Sequence, residues 1–289
     1  MAFKIYNRNH IIKHFSGNIL SLLGNMQHLS NDLLVLNYHG TQKKFMPNFE
    51  KQLDYYKHHF EIITPAQLEN YYSEKAERIL KTQLLLTFDD GIKNNLYAAE
   101  ALQKRNIKAF FFIIPCFIET AHQDQKKYFH SNIRSVTNPH IDSQEDDFSS
   151  MSWEDLSSLL TQGHRIGSHT YSHNMVSSMS DSKNSESEII ASKKIIENKL
   201  SMPINSYCSP NDTLISTGRT EIQLIKKNYL YHFTTYPGSN YEWKNPYFIK
   251  RVNTEAFWLS GTVKYALGKF DRIRWKNKRD LFQSMCDKE

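Results

Sequence analysis

Short apolar runs recur along this chain of 289 residues and alternate with helix-length segments, and that order limits the folds open to it. Runs at 33–38, 61–63, 83–88, 108–114, 164–168, 204–208, 230–235 and 248–252 have the length and composition of buried strands. Between them, helical periodicity predicts helices near 49–59, 65–78, 93–105, 153–162, 183–200 and 216–228. Strand, helix, strand in that order is the signature of a parallel sheet made of βα units. The alternation does not by itself distinguish a closed barrel from an open sheet.

One run ends in chemistry. Gln83-Leu84-Leu85-Leu86-Thr87-Phe88 leads directly into Asp89-Asp90-Gly91, a turn signal. Carboxylates at the carboxyl end of a parallel strand stand where α/β folds place their sites. Adjacent residues leave a strand in different directions, so one acid can hold a metal while the other faces water. About eighty residues on, the run Arg165-Ile166-Gly167-Ser168 is followed by His169-Thr170-Tyr171-Ser172-His173. The two histidines fall on the exit loop or on the first turn of a helix; at helical spacing, residues i and i+4 share a face and both rings reach one ion. Two imidazoles and a carboxylate, with a spare carboxylate as base, are sufficient for metal-assisted hydrolysis.

Thr87-Phe88-Asp89-Asp90-Gly91 and Gly167-Ser168-His169-Thr170-Tyr171-Ser172-His173 together resemble the polysaccharide deacetylase family, carbohydrate esterase family four. The resemblance runs from about residue 33 to 255. Val35-Leu36-Asn37-Tyr38-His39 resembles the opening Tyr-His segment of many members, Lys108–Ile113 the second barrel strand, and Trp153–His164 the helix before the histidine motif. Tyr229–Gly238 and Phe248–Val252 resemble the last strands. The fold it implies is a distorted (β/α) barrel.

The resemblance also implies roles. Asp89 would be the general base, and Asp90, His169 and His173 would hold a divalent metal, zinc before cobalt, nickel or manganese. The late histidine that serves many members as general acid has no counterpart here, since no histidine follows His232. A branch of the family uses the early Tyr-His histidine, which makes His39 the expected acid. Arg251 falls where the family often has an arginine that orients the base. The third family motif departs from its usual form: Tyr207-Cys208-Ser209-Pro210-Asn211-Asp212 keeps Pro210 but lacks the flanking aromatics and glycine. Asn211, after the proline, would supply a backbone N–H for the developing oxyanion. The implied activity is removal of an N-acetyl or N-formyl group from an amino sugar in surface-polysaccharide or lipid-linked glycan biosynthesis. The alternatives are an O-acetyl esterase on the same scaffold and a degenerate glycan-binding domain.

The remaining features set limits. A net charge of +6 favours an anionic partner, such as a nucleotide-sugar, a lipid-linked phosphate or a membrane surface. No recognition motif and no long lysine-rich run points to nucleic acid. Three scattered cysteines, Cys116, Cys208 and Cys286, are expected as reduced thiols of a cytoplasmic enzyme rather than a disulfide framework. The apolar stretch after Met1–His10 is broken by Lys13, His14, Ser16 and Gly17, so no secretory signal is legible. The expected organisation is a helical extension over 1–32, a catalytic domain over 33–260 and a basic amphipathic tail over 261–289. The extension places Ile11, Ile12, Phe15, Ile19, Leu22 and Leu23 at helical spacing, suited to packing on the barrel or to peripheral membrane contact. The tail combines Val263, Leu267, Phe270, Ile273 and Trp275 with a set of lysines and arginines, suited to the same alternatives. Residues 119–150, polar and without periodicity, are expected as an inserted loop near the site that carries His122, His130 and His140.

Overall fold

The computed structural model describes residues 8–22, 32–72, 81–133, 148–174, 182–211, 217–240, 245–268 and 275–287. Eight strands build one sheet: β1 (Leu33–Tyr38), β2 (Glu61–Ile62), β3 (Gln83–Phe88), β4 (Phe110–Ile113), β5 (Arg165–Ser168), β6 (Ser206–Cys208), β7 (Tyr231–Phe233) and β8 (Arg251–Asn253). All its ladders are parallel, in the order β7-β6-β5-β4-β3-β1-β8. The two ends of that order meet. Phe233 bridges Ile249, the Ile249 N–H donates to the His232 carbonyl at 3.0 Å, and the Arg251 N–H donates to the Tyr236 carbonyl at 2.9 Å. The sheet therefore curls into a nearly closed barrel. Its distortion has a local cause: one edge of β3 carries β2 along its first half and β4 along its second, Leu84 pairing with Ile62 and Phe88 with Phe111.

Both faces of the central strands are covered, which is why β1 and β3 read as continuous apolar runs and not as alternating ones. Leu34, Leu36, Leu84, Leu86 and Phe111 belong to the core shared with the surrounding helices. Leu33, Val35, Leu85, Phe110, Phe112, Phe233 and Ile249 fill the barrel interior. Each such side chain contributes roughly 2 kcal/mol by leaving water. The observed strands are shorter than the apolar runs. Ala109 and Ile204, for example, are fully buried but lie outside the ladders, because hydrophobic patterning reports burial and not pairing.

The helices include Met46–His59, Pro65–Tyr72, Asn95–Gln103, Trp153–Thr161, Ser192–Leu200 and Arg219–Asn228. Trp153–Thr161 begins with a capping box, in which Ser152 and Asp155 exchange side-chain-to-backbone bonds at 3.1 and 2.8 Å. Residues 73–78 of the helix expected over 65–78 fall outside the described residues.

The 119–150 segment is not simply an irregular loop. It contains the helix His122–Tyr128 and a π-turn over Phe129–Ile133, and Phe129, Ile133 and Phe148 pack with Ile92, Ile114 and Phe117 as a separate apolar cluster. The sparse aromatics of a polar stretch are what bury it. His140 lies outside the described residues.

At the chain's other end, the helix Ser260–Leu267 buries Val263 and Leu267 on the barrel, and Lys276–Cys286 buries Phe282 and Cys286 against Tyr236 and Phe248. Phe270 and Ile273 lie outside the described residues. No helix among the described residues is long and apolar enough to cross a membrane.

Candidate active site

The barrel's inward positions turn from apolar to polar toward the carboxyl ends of the strands. On β1 the sequence is Leu33, Val35, then Asn37; on β3 it is Leu85, Thr87, then Asp89. A cavity of about 170 Å³ opens there, lined by residues that include Asn37, His39, Asp89, Asp90, His169 and His173. A larger cavity, about 240 Å³, opens at the opposite end among Phe110, Arg165, Pro203 and Tyr231, and its lining has no carboxylate, imidazole or thiol. The carboxylates and imidazoles gather at the first.

Asp89 follows the last paired residue of β3 and its N–H donates to the Tyr38 carbonyl at 2.8 Å. Asp90 and Gly91 then adopt φ of 71° and 66°, which sends the two carboxylates apart. Asp89 receives both arms of Arg251, Nη1 at 2.7 Å and Nη2 at 2.9 Å. Arg251 is not a surface residue. It is 1% exposed and is held from behind by the Thr234 carbonyl at 2.9 Å and the Thr87 hydroxyl at 3.1 Å. Burial would raise the Asp89 carboxyl, but the Arg251 guanidinium outweighs it and holds the group below the ordinary carboxylate range.

Asp90 is different. Its two oxygens are buried without a hydrogen-bond partner, and Oδ1 stands 3.5 Å from Nε2 of both His169 and His173. The far side of each ring is anchored: His169 Nδ1 lies 2.9 Å from the Cys208 carbonyl and His173 Nδ1 lies 3.0 Å from the Asn132 carbonyl. A ring that donates Nδ1–H to a carbonyl presents a bare Nε2, the form that binds a metal. The histidines are not on a helix. Thr170 and His173 have φ of 65° and 67°, and the His173 N–H donates to the Thr170 hydroxyl at 3.0 Å, so a tight loop and not helical spacing brings both rings to one point.

Electrostatics agree with a cation at that point. Burial works against charge on His169, but the Asp90 and Asp89 carboxylates push it well above its ordinary value. His173 is pushed down to about 4 by burial, and the Asp90 carboxyl, despite burial, is pulled down to about 2 by the histidines. One positive charge is thus favoured between Asp90 and the two rings. Asp89, His169 and Cys208 are also close enough to share an ion, but Arg251 occupies both oxygens of Asp89 and burial raises the Cys208 thiol, which keeps it protonated. Asp90, His169 and His173 are the better donor set.

His39 follows β1 on the cavity's other side. Its Nδ1 lies 3.0 Å from Oε1 of Glu255, a carboxylate just past β8 that also receives the Asn253 amide at 3.4 Å. Burial alone would lower His39, yet Glu255 and the two aspartates raise it to about 9.

The segment after β6 places Pro210 in the buried layer, while Asn211, with φ of 55°, lines the cavity beside Ser209. The Ser209 hydroxyl is pinned between Thr217 at 2.9 Å and His232 Nε2 at 2.6 Å. A buried hydrogen-bond network therefore holds this segment where the family form has a tyrosine. Asp212 lies outside the described residues, and His122 and His130 stand away from the cavity lining.

Two carboxylates in contact with the site escaped the sequence reading. Glu255 stands at a strand end, four residues after Arg251, so the signal that picked out Asp89 applies to it as well. Glu188 sits in a helical stretch that carries no such signal. It accepts from the backbone N–H groups of Tyr171 and Ser172 at 3.0 and 2.9 Å and from the Ser172 hydroxyl at 2.5 Å, fixing the histidine loop.

A family model described as polysaccharide deacetylase matches residues 77–227, a span that holds Asp89, Asp90, His169, His173 and Asn211 but not His39, Arg251 or Glu255. No curated protein matches the chain. Among solved structures, the chain is similar to the deacetylase PplD of Streptococcus pyogenes, determined in complex with acetate: 15% identity, TM-score 0.63, covering 83% of this chain and 99% of that one. It is similar to IcaB from Ammonifex degensii at 19% identity and a TM-score of 0.61, covering 85% and 100%. It is also similar to a polysaccharide deacetylase from Bacillus cereus at 19% identity and a TM-score of 0.58, covering 82% and 69%. At these identities the likeness is one of fold.

Proposed function

Because the chain belongs to the polysaccharide deacetylase family, and is thereby a hydrolase of amide bonds in glycans, we propose that it removes an N-acetyl or N-formyl group from an amino sugar during surface-polysaccharide or lipid-linked glycan biosynthesis. The observation that carries this reading is Asp90: a buried carboxylate with no hydrogen-bond partner, facing two Nε2 atoms whose rings are anchored from behind. That donor set fits a divalent cation, and imidazoles with a carboxylate suit zinc, with cobalt, nickel or manganese as substitutes. Bound there, the ion would supply Lewis acidity toward an amide carbonyl and toward water.

The chain's own groups supply the rest. Asp89 is ionised and immobilised by Arg251, so it accepts a proton from water in the cavity at a fixed oxygen. His39, with Nδ1 engaged by Glu255, holds a proton on Nε2 for the departing amine. Asn211, at the lining, is the proposed backbone donor to the oxygen on which charge develops. The positive net charge suits an anionic glycan precursor.

The test is acyl release. Zinc-loaded protein is incubated with oligosaccharides of N-acetylglucosamine and with N-acetylated and N-formylated sugar nucleotides, and free amine and carboxylate are followed together. Stoichiometric release by wild type, lost in Asp89→Asn with its metal retained, is the expected result. A fully metal-loaded wild type that releases no acyl group from any N-acylated sugar would overturn the proposal and return the chain to glycan binding.

A further inference from the structure

The helix Arg8–Leu22 lies outside the barrel with its faces reversed. Its packed side is polar. Gly17 is buried against Gly261 of the helix Ser260–Leu267, so close that neither position has room for a Cβ. The Gly261 N–H donates to His14 Nδ1 at 3.2 Å, Lys264 reaches the Asn18 amide oxygen at 3.5 Å, and Lys13 sits 5.7 Å above the Tyr265 ring. Its outward side is apolar: Ile12, Phe15 and Ile19, at helical spacing, are 52%, 63% and 57% exposed. Among the described residues five large apolar side chains are exposed, and three of the five form this one strip. A single exposed apolar side chain is ordinary, whereas a strip of them opposite an inward polar face marks a surface that is covered in use.

The strip's surroundings say by what. Lys264 also lies 5.6 Å over the Tyr55 ring, which brings the strip's supporting helix beside the end of Met46–His59, where Lys57 is exposed, with Glu61 the exposed acid just past it. Lys81, exposed as well, reaches the His58 carbonyl at 3.5 Å. Asp54 on the same helix is already engaged by Arg105 at 2.9 Å. An apolar strip on a helix whose neighbours carry exposed lysines, in a chain of net charge +6, complements an anionic lipid surface with this basic border.

We propose that this face docks on an anionic phospholipid bilayer, with Ile12, Phe15 and Ile19 entering the acyl boundary and the basic border meeting the headgroups. The helix lies in the interface plane, since at 15 residues it is too short to span the hydrocarbon. Docking would hold the barrel beside membrane-linked glycan, but the surface stands independently of the reaction assigned to the cavity.

The test is flotation of the full chain with vesicles of phosphatidylcholine alone or mixed with phosphatidylglycerol. Wild type is expected to float with the mixed vesicles, to bind pure phosphatidylcholine at least about tenfold more weakly, and to be released by salt. The Ile12→Ser/Phe15→Ser/Ile19→Ser variant is expected to lose binding by about tenfold or more, with its circular dichroism unchanged. Phe15→Trp, which keeps the strip apolar, adds a readout free of that variant's folding: measured as the difference from wild type with its four tryptophans, the emission of the introduced indole shifts to the blue and is quenched by brominated lipid. The proposal is overturned by failure of wild type to float with anionic vesicles, by equal flotation of wild type and a folded triple variant, by an indole emission in Phe15→Trp that lipid leaves unchanged, or by a wild-type dimer that the triple variant splits, which would give the strip to a second copy.

Discussion

Arg251 and Asp89 meet as a fork, two guanidinium nitrogens on two carboxylate oxygens at 2.7 and 2.9 Å, inside a barrel that leaves Arg251 1% exposed. A bidentate contact fixes the direction of a carboxylate as well as its charge. Arg251→Lys keeps the charge and loses the fork, and is expected to lower kcat/KM by roughly a hundredfold. Arg251→Met leaves the carboxylate buried and unpaired, at a cost of about 3–5 kcal/mol in stability. The sign of the pH effect follows from Asp89. Its folded carboxyl lies below the ordinary value, so the stability it contributes is present above the unfolded pKa and is lost as pH falls through the folded one. Without Arg251, burial raises the carboxyl, and the acid limb of kcat/KM moves to higher pH. A limb that stays in place in Arg251→Met, where the charge is gone, would refute the assignment of Asp89 as base.

The His39–Glu255 pair predicts the opposite limb. His39 is raised from 6.5 to about 9 by Glu255 and the aspartates against the effect of burial. A general acid works only while protonated, so activity falls as pH rises, with a limb between 6.5 and about 9 in metal-loaded protein, where the cation offsets the aspartates. Glu255→Gln removes the main raising group and leaves burial, so the limb moves down by a unit or more. The measurement is kcat/KM against pH for both proteins. His39→Ala is expected to lose activity toward an amide by about 10²–10⁴-fold and much less toward an O-acetyl ester, whose leaving group needs less acid help. Equal losses on both substrates would remove His39 from the role.

Much of this was legible before any fold was seen, and the boundary is physical. Asp89, Asp90, His169 and His173 stood out because strand-terminal carboxylates and a close histidine pair are short-range patterns. Their convergence at one point needed the fold, and helical spacing misdescribes the histidines, since the positive φ of Thr170 and His173 leaves no trace in residue type. Arg251 was legible only through the family resemblance. What buries it is its place on β8, which the β7 edge reaches only when the barrel closes. The N-terminal helix showed the right spacing but not its orientation. Periodicity names an apolar face without saying whether that face turns inward, and here a glycine pair, Gly17 and Gly261, sets the packed side.

Metal removal supplies a third prediction. With Asp90, His169 and His173 as the donor set, wild type is expected to retain about one divalent ion per chain and His169→Ala/His173→Ala essentially none, by elemental mass spectrometry. Since a ligand that binds only the folded state stabilises it, zinc at a hundredfold excess over its Kd adds about 2.7 kcal/mol, and chelation lowers Tm accordingly. The double variant's Tm is expected to ignore both zinc and chelator. Zinc-dependent Tm in the double variant would place the ion outside both sets that use His169, Asp90-His169-His173 and Asp89-His169-Cys208.

The last prediction concerns Glu188, which touches no ligand. Its carboxylate takes three donors from Tyr171 and Ser172, between the two histidines, and the loop it braces includes two residues of positive φ. Strain of that kind persists only where the surroundings impose it. Glu188→Gln keeps the size of the side chain but removes its charge: the N–H groups of Tyr171 and Ser172, which share one oxygen, are left with a neutral acceptor, and the Ser172 hydroxyl meets an NH2 in place of a carboxylate oxygen, so the brace weakens. The histidines then lose their fixed aim while both anchoring carbonyls, from Cys208 and Asn132, remain in place. Metal affinity is expected to fall by about 10–100-fold, read by competition against a chromogenic chelator, while saturating zinc restores most of kcat. Glu188→Asp, which keeps the charge on a shorter stem, should lose less. An affinity unchanged in Glu188→Gln would mean that the loop holds its shape without this carboxylate, and that the bond of the His173 N–H to the Thr170 hydroxyl is enough.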